Sequence, residues 1–170
     1  MSEPIAGLPE PDSDGRLYFE DLAVGRRFVS PRRTITEADV VAFAGISGDY
    51  NPLHVDEVFA ASGPFGVRVA HGALVLSIVT GLRQQMPTFR GSLRALLELR
   101  CWRFLKPVLF GETICAVSTV IEMRPTSRPD QGVVVQRIDV LNQRGETVQS
   151  GEIVSLLARR AHPRGAQARP

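Results

Sequence analysis

Cysteine, lysine, net charge and long apolar runs are all scarce in this chain of 170 residues. The two cysteines, Cys101 and Cys115, are spaced like no zinc or redox motif, which leaves two buried, reduced thiols as the expectation. Lys106 is the only lysine, so the basic charge is almost all arginine, a bias from which no chemistry follows. Twenty basic residues against 18 acidic ones give a net charge of +2. That is too small to argue for nucleic acid or an anionic membrane as partner. The most apolar stretch, Val69 to Leu82, contains His71 and is shorter than the ~20 residues a bilayer needs. The opening Met1-Ser2-Glu3-Pro4 lacks the basic start and apolar run of a secretory signal. A cytoplasmic protein without membrane contact is the default expectation.

The remaining composition, 44% hydrophobic and 22% charged, is that of an ordinary globular domain long enough to bury a core. Residues 1–16, rich in Pro, Gly, Asp and Ser, read as a disordered lead-in, and 159–170 as a disordered tail. A single domain is expected over 17–158.

Within it, Arg26 to Thr34 has strand character. Thr36 and Asp39 have the spacing of a capping box, followed by a helix with Val40, Val41 and Ala44 on one face. Asp56 to Ala61 suits a short helix. Gly72 to about Gln85 is apolar on nearly every side, and its length favours a helix enclosed by protein. After Pro87 the period changes to two, with Leu93, Ala95, Leu97, Leu99 and Cys101 alternating with their neighbours. Further strands are expected at Thr113–Met123, Val133–Leu141 and Thr147–Leu157, with a turn at Asn142-Gln143-Arg144-Gly145. Short connections make these strands antiparallel. One enclosed helix and a run of antiparallel strands imply an α+β fold, a sheet curled around that helix. Its open edge makes a dimer the expected assembly.

The chemistry concentrates in Ser47-Gly48-Asp49-Tyr50-Asn51-Pro52-Leu53-His54-Val55-Asp56. Asp49 and His54 are five apart, a spacing that a helix would rotate by ~140°. Pro52 pushes Asn51 toward extended backbone. The segment is therefore an irregular excursion able to aim a carboxylate and an imidazole at one point. The plainer alternative is a capped turn with His54 on the surface. A second feature, Val69-Ala70-His71-Gly72, opens the enclosed helix. Free N–H groups there, with the positive end of the helix dipole, suit a developing oxyanion. The plainer alternative is that His71 caps the helix and Gly72 only permits packing.

Together the two segments resemble the MaoC-like dehydratases, specifically the (R)-specific enoyl-CoA hydratases of the hot-dog fold. The resemblance covers roughly residues 18 to 158. It implies reversible hydration of a trans-2-enoyl thioester, carried by CoA or acyl carrier protein, to the (3R)-hydroxy product. It implies Asp49 and His54 as the acid–base pair, Gly72 as the donor to the thioester carbonyl, and Ser77 as a polar residue lining the site. It places Asn51 in loop support or substrate contact and His71 in orienting the site. It implies no metal or other cofactor, and a homodimer or dimer of dimers.

Three rivals remain. A hot-dog thioesterase usually carries an acid on its central helix, and Gly72 to Gln85 has none. A non-catalytic acyl-binding subunit would not need the Asp49/His54 pair. A metal site from Asp49, His54, Asp56 and His71 has suitable ligand types but no recognisable spacing. Arg83, Arg90, Arg94, Arg103 and Lys106 could meet the phosphates of a carrier, but exposed charges are the ordinary expectation.

Overall fold

The computed structural model describes residues 15–160. The first 14 residues of the lead-in and the last ten of the tail lie outside the described residues.

Among the described residues, four α-helices and two 3₁₀ turns, the second at Pro87–Phe89, lead into and line a six-stranded antiparallel sheet. Strands β1 (Arg27–Val29) and β2 (Arg33–Thr34) precede helices α1 (Glu37–Ser47), α2 (Pro52–Val55), α3 (Glu57–Ala61) and α4 (Gly72–Gln85). Strands β3 (Leu93–Phe104), β4 (Thr113–Pro125), β5 (Gln131–Leu141) and β6 (Thr147–Ala158) follow, with a 3₁₀ turn at Phe19–Asp21. The sheet order is β1-β4-β5-β6-β3, and β2 also pairs with β4. Helix α4 lies against the inner face: Leu74, Val75, Ile78, Val79 and Leu82 pack with Ile114, Ala116, Ile138, Val140 and Ile153.

Several local expectations hold for the reasons given. Thr36 and Asp39 form the reciprocal capping box of α1, and Asp56 caps α3 through the Phe59 N–H. Helix α4 has the expected ends. The hairpin turn is closed by the Gly145 N–H on the Asn142 carbonyl, with Gly145 at φ +77°.

Other expectations need correction. The strand read over 26–34 is interrupted at Ser30-Pro31-Arg32, because Pro31 has no N–H for the ladder. Val41 is exposed, and only Val40 and Ala44 are buried on α1. Helix α4 leaves Ala73, Ser77 and Gly81 open to solvent, so the described chain does not enclose it. Strand β3 has three register shifts against β6, and Cys101 adopts φ +48°, so its alternation does not divide cleanly into two faces. Leu96, Leu97, Leu99 and the Cys101 thiol are exposed there, whereas Cys115 is buried. Arg159 and Arg160, expected in the tail, are held by ion pairs to Glu20 and Asp21 of the first turn. Arg83 is buried at 6% exposure, not a surface charge.

The β5–β6 hairpin supplies a pH test. Glu146 accepts from Asn142, Lys106 and Arg144, which together hold its carboxyl at about 2, below the ordinary 4.5. A carboxyl lowered in the folded state stabilises above its unfolded pKa, and that contribution disappears as pH falls toward the folded value. Glu146→Gln should therefore lower the melting temperature at pH 7, with the gap from the parent closing between pH 4.5 and 2. Melting curves across that range check this; a gap independent of pH would contradict it.

Candidate active site

Helix α1 stops at Gly48, whose left-handed φ of +75° turns the chain out, its N–H closing on the Ala44 carbonyl at 2.9 Å. A chain of short-range bonds shapes the next residues. Ser47 Oγ accepts from the Asp49 N–H, Asp49 Oδ1 from the Asn51 N–H, and Asn51 Oδ1 from the Leu53 N–H. Asn51 thereby caps α2, with Pro52 at its first position, where a missing N–H costs nothing. His54 is thus carried on a single helical turn, not on an extended loop.

Two carbonyls orient the two histidines. His54 Nδ1 donates to the Val69 carbonyl at 2.7 Å, and His71 Nε2 donates to the Asp49 carbonyl at 2.9 Å. A carbonyl only accepts, so each contacting nitrogen carries the proton. In neutral rings this leaves a lone pair on His54 Nε2 and on His71 Nδ1. The rings stack with centroids 3.8 Å apart and planes at 32°, and Phe43 backs His71 at 5.1 Å. His71 is 2% exposed, His54 half-buried and Asp49 exposed. One donor atom each from Asp49, His54 and His71 lies within 4.8 Å of the others.

That separation suits one water molecule hydrogen-bonded to both the Asp49 carboxylate and the His54 imidazole, since two contacts of ~2.8 Å span up to ~5.6 Å. It suits a metal less well. Stacked imidazoles direct their in-plane lone pairs side by side, and a tetrahedral ion needs them to converge at ~2.0–2.1 Å. Asp56, the fourth member of the metal alternative, is spent capping α3.

His54 and Gly72 share a cavity of about 490 Å³. Its wall is mostly apolar and includes Leu53, Phe65, Phe104 and Leu105. Gly72 is the first residue of α4, so its N–H has no partner within the helix. A Cβ at Gly72 would lie 2.7 Å from the Phe104 ring, so only glycine lets that ring close over the helix start. Gln149 fixes the same point: its Nε2 donates to the Gly72 carbonyl, and its Oε1 accepts from Trp102 Nε1.

The structure thus brings Asp49, Asn51, His54, His71 and Gly72 together, and leaves Ser77 out. Ser77 stands one turn beyond Ala73, its hydroxyl donates back to the Ala73 carbonyl, and it lines a separate groove with Arg33, Phe43 and Ile46. Phe104 and Gln149 were not legible as site residues. They come from the ends of strands, and no local motif marks them.

A family model described as the MaoC like domain matches residues 21–141. The chain belongs to the MaoC-like domain family. It is 40% identical over 115 residues to a 3-hydroxybutyryl-CoA dehydratase of Methylorubrum extorquens, covering 66% of this chain and 69% of that protein. It is 37% identical over 114 residues to an (R)-specific enoyl-CoA hydratase of Rhodospirillum rubrum, covering 65% and 74%. Against the MaoC protein of Klebsiella aerogenes the match spans only 29% of that protein's length. The fold is a hot-dog fold: a Mycobacterium tuberculosis structure described as a double hot-dog superposes with a TM-score of 0.75 at 24% identity, covering 92% of this chain and 47% of that one.

His71→Ala removes both the ring beneath His54 and the donor to Asp49. It should destabilise the MaoC-like domain by about 2–4 kcal/mol. Urea denaturation measures this, and an unchanged midpoint would show that the stack contributes nothing.

Proposed function

We propose that this protein adds water reversibly across the double bond of a trans-2-enoyl-CoA thioester, giving the (3R)-3-hydroxyacyl-CoA. The observation that carries the reading is that ligand atoms of the Asp49 carboxylate and the His54 imidazole lie within 4.8 Å of each other, with His54 and Gly72 on the wall of one cavity. The names of the relatives support CoA as the carrier and support both directions of reaction.

In the hydration direction the thioester carbonyl lies on the Gly72 N–H, which stabilises the enolate oxygen as charge develops. Asp49 and His54 hold one water between them. Its O–H bond breaks as the oxygen bonds the β-carbon, His54 Nε2 takes that proton, and the imidazolium gives a proton to the α-carbon, so the enzyme ends in its starting protonation state. The lone pair on His54 Nε2 makes His54 the acceptor in the water-activation step, and the Asp49 carboxylate orients that water. His71 holds both partners in place and transfers nothing. The residues require no redox group for this chemistry. Stereochemistry follows from the family resemblance.

Hydration of crotonyl-CoA, followed by loss of enoyl-thioester ultraviolet absorbance, tests the reading. Asp49→Asn and His54→Ala should each lower turnover by about 10²–10⁴-fold with folding retained. Parent-like rates in both variants would remove the assignment. Release of free thiol, without loss of the enoyl signal, would favour a hydrolase instead.

We also infer that the working unit is a homodimer formed through β3. Among the described residues this strand pairs only with β6, and it exposes Leu96, Leu97, Leu99 and Phe104, with Leu105 exposed just beyond it. A bare edge with exposed apolar residues along its strand favours a second copy. Light scattering should give twice the chain mass, falling to one chain mass in Leu97→Glu/Leu99→Glu. A parent protein of single-chain mass would contradict the inference.

A further inference from the structure

The inner face of the sheet changes character halfway along. At one end Ala116, Ile138 and Ile153 pack under α4; at the other Val120, Val134 and Leu157 pack with Met86 and Phe89. Between these clusters each central strand inserts one polar residue: Ser118 on β4, Gln136 on β5 and Ser155 on β6. All three are at most 1% exposed. Against this row α4 presents Arg83. Its guanidinium donates to Gln136 Oε1 and lies 6.0 Å from the Phe89 ring.

This row is rich in donors and poor in acceptors. Among the described residues Arg83 pairs with no carboxylate. Arg83 Nε, Gln136 Nε2, Ser118 Oγ and Ser155 Oγ have no hydrogen-bond partner among protein atoms. Burial pushes the guanidinium down to about 10, which still leaves it charged at neutral pH. A buried cation without a counter-charge is costly, and buried donors without acceptors add to that cost. Beside Arg83 and Ser155 lies a cavity of about 280 Å³, walled also by Thr80, Leu93 and Leu96.

We propose that Arg83 anchors a carboxylate-binding site between the C-terminal half of α4 and strands β3 and β6. The fork of the guanidinium matches the two coplanar oxygens of a carboxylate, and one cation matches one negative charge. Leu93 and Leu96 suit a short aliphatic stem over a fully hydrated inorganic anion. The carboxylate has two possible sources: a free short-chain acid, or the far end of an acyl group that itself terminates in a carboxylate. Eleven residues separate Gly72 from Arg83, about 16 Å along the helix. The binding site stands whether or not the hydratase reading does.

Calorimetric titration of the full chain with butyrate, glutarate, chloride and phosphate tests it without any catalysis. Saturable butyrate or glutarate binding is expected, weakened at least tenfold in Arg83→Met and severalfold in Ser155→Ala. Arg83→Met keeps the volume and removes the charge; if it does not fold, Ser155→Ala carries the comparison. Steady-state kinetics with enoyl-CoAs ending in methyl or in carboxylate separate the two sources: a preference of tenfold or more for the carboxylate end, lost in the Arg83 variant, assigns the acyl group. No saturable carboxylate binding together with no such preference overturns the proposal. So does binding that survives both substitutions, or binding of phosphate and chloride as tight as that of the acids.

Discussion

A carbonyl oxygen only accepts a hydrogen bond, and two carbonyls, on Asp49 and Val69, set the proton positions on which the site depends. The Val69 carbonyl takes the Nδ1 proton of His54 and leaves its Nε2 lone pair bare. The Asp49 carbonyl takes the Nε2 proton of His71. The carboxylate-bearing residue and the stacked imidazole pair are therefore tied through backbone carbonyls. His71, buried and backed by Phe43, is the fixed point of this arrangement. Removing it would loosen Asp49 and His54 together.

The fold serves this by supplying two rigid ends. Helix α1 delivers Asp49 through the left-handed turn at Gly48, and α4 delivers the Gly72 N–H, its start clamped by Gln149 and overlain by Phe104. Between them α2 and α3 are single turns with their own caps, Asn51 and Asp56. A carboxylate, an imidazole and an amide placed by separately capped elements are held more tightly than on an open loop. The same helix bears on two places along its length: its first turn lines a cavity with His54, and its last turns place Arg83 in the polar row on the inner face of the sheet.

What was legible in the sequence were the features governed by short-range rules. Glycine and the switch of period marked the ends of α4, Thr36 and Asp39 marked the start of α1, and Pro52 excluded a continuous helix through the motif. The α+β arrangement followed from one apolar helix and a run of strands. What escaped depends on partners distant in sequence. Pro31 breaks a strand only once β4 is its neighbour, and the register shifts of β3 arise along its pairing with β6, one of them beside Trp102 and Gly151. Ser77 was placed by resemblance, but its hydroxyl turns back onto its own helix. Arg83 looked like a surface charge because nothing local reveals that Gln136 and Ser155 will face it. Phe104 and Gln149 reach the site from strand ends.

The account rests on one solvent molecule shared by Asp49 and His54 beside the Gly72 amide. The most direct test is a high-resolution crystal structure with a non-hydrolysable enoyl-CoA analogue bound. The account predicts an ordered water within ~3 Å of both the Asp49 carboxylate and His54 Nε2, placed over the β-carbon, with the carbonyl oxygen accepting from the Gly72 N–H. An analogue seated instead in the groove lined by Ser77, or a carbonyl turned away from Gly72 with no water between the pair, would contradict it.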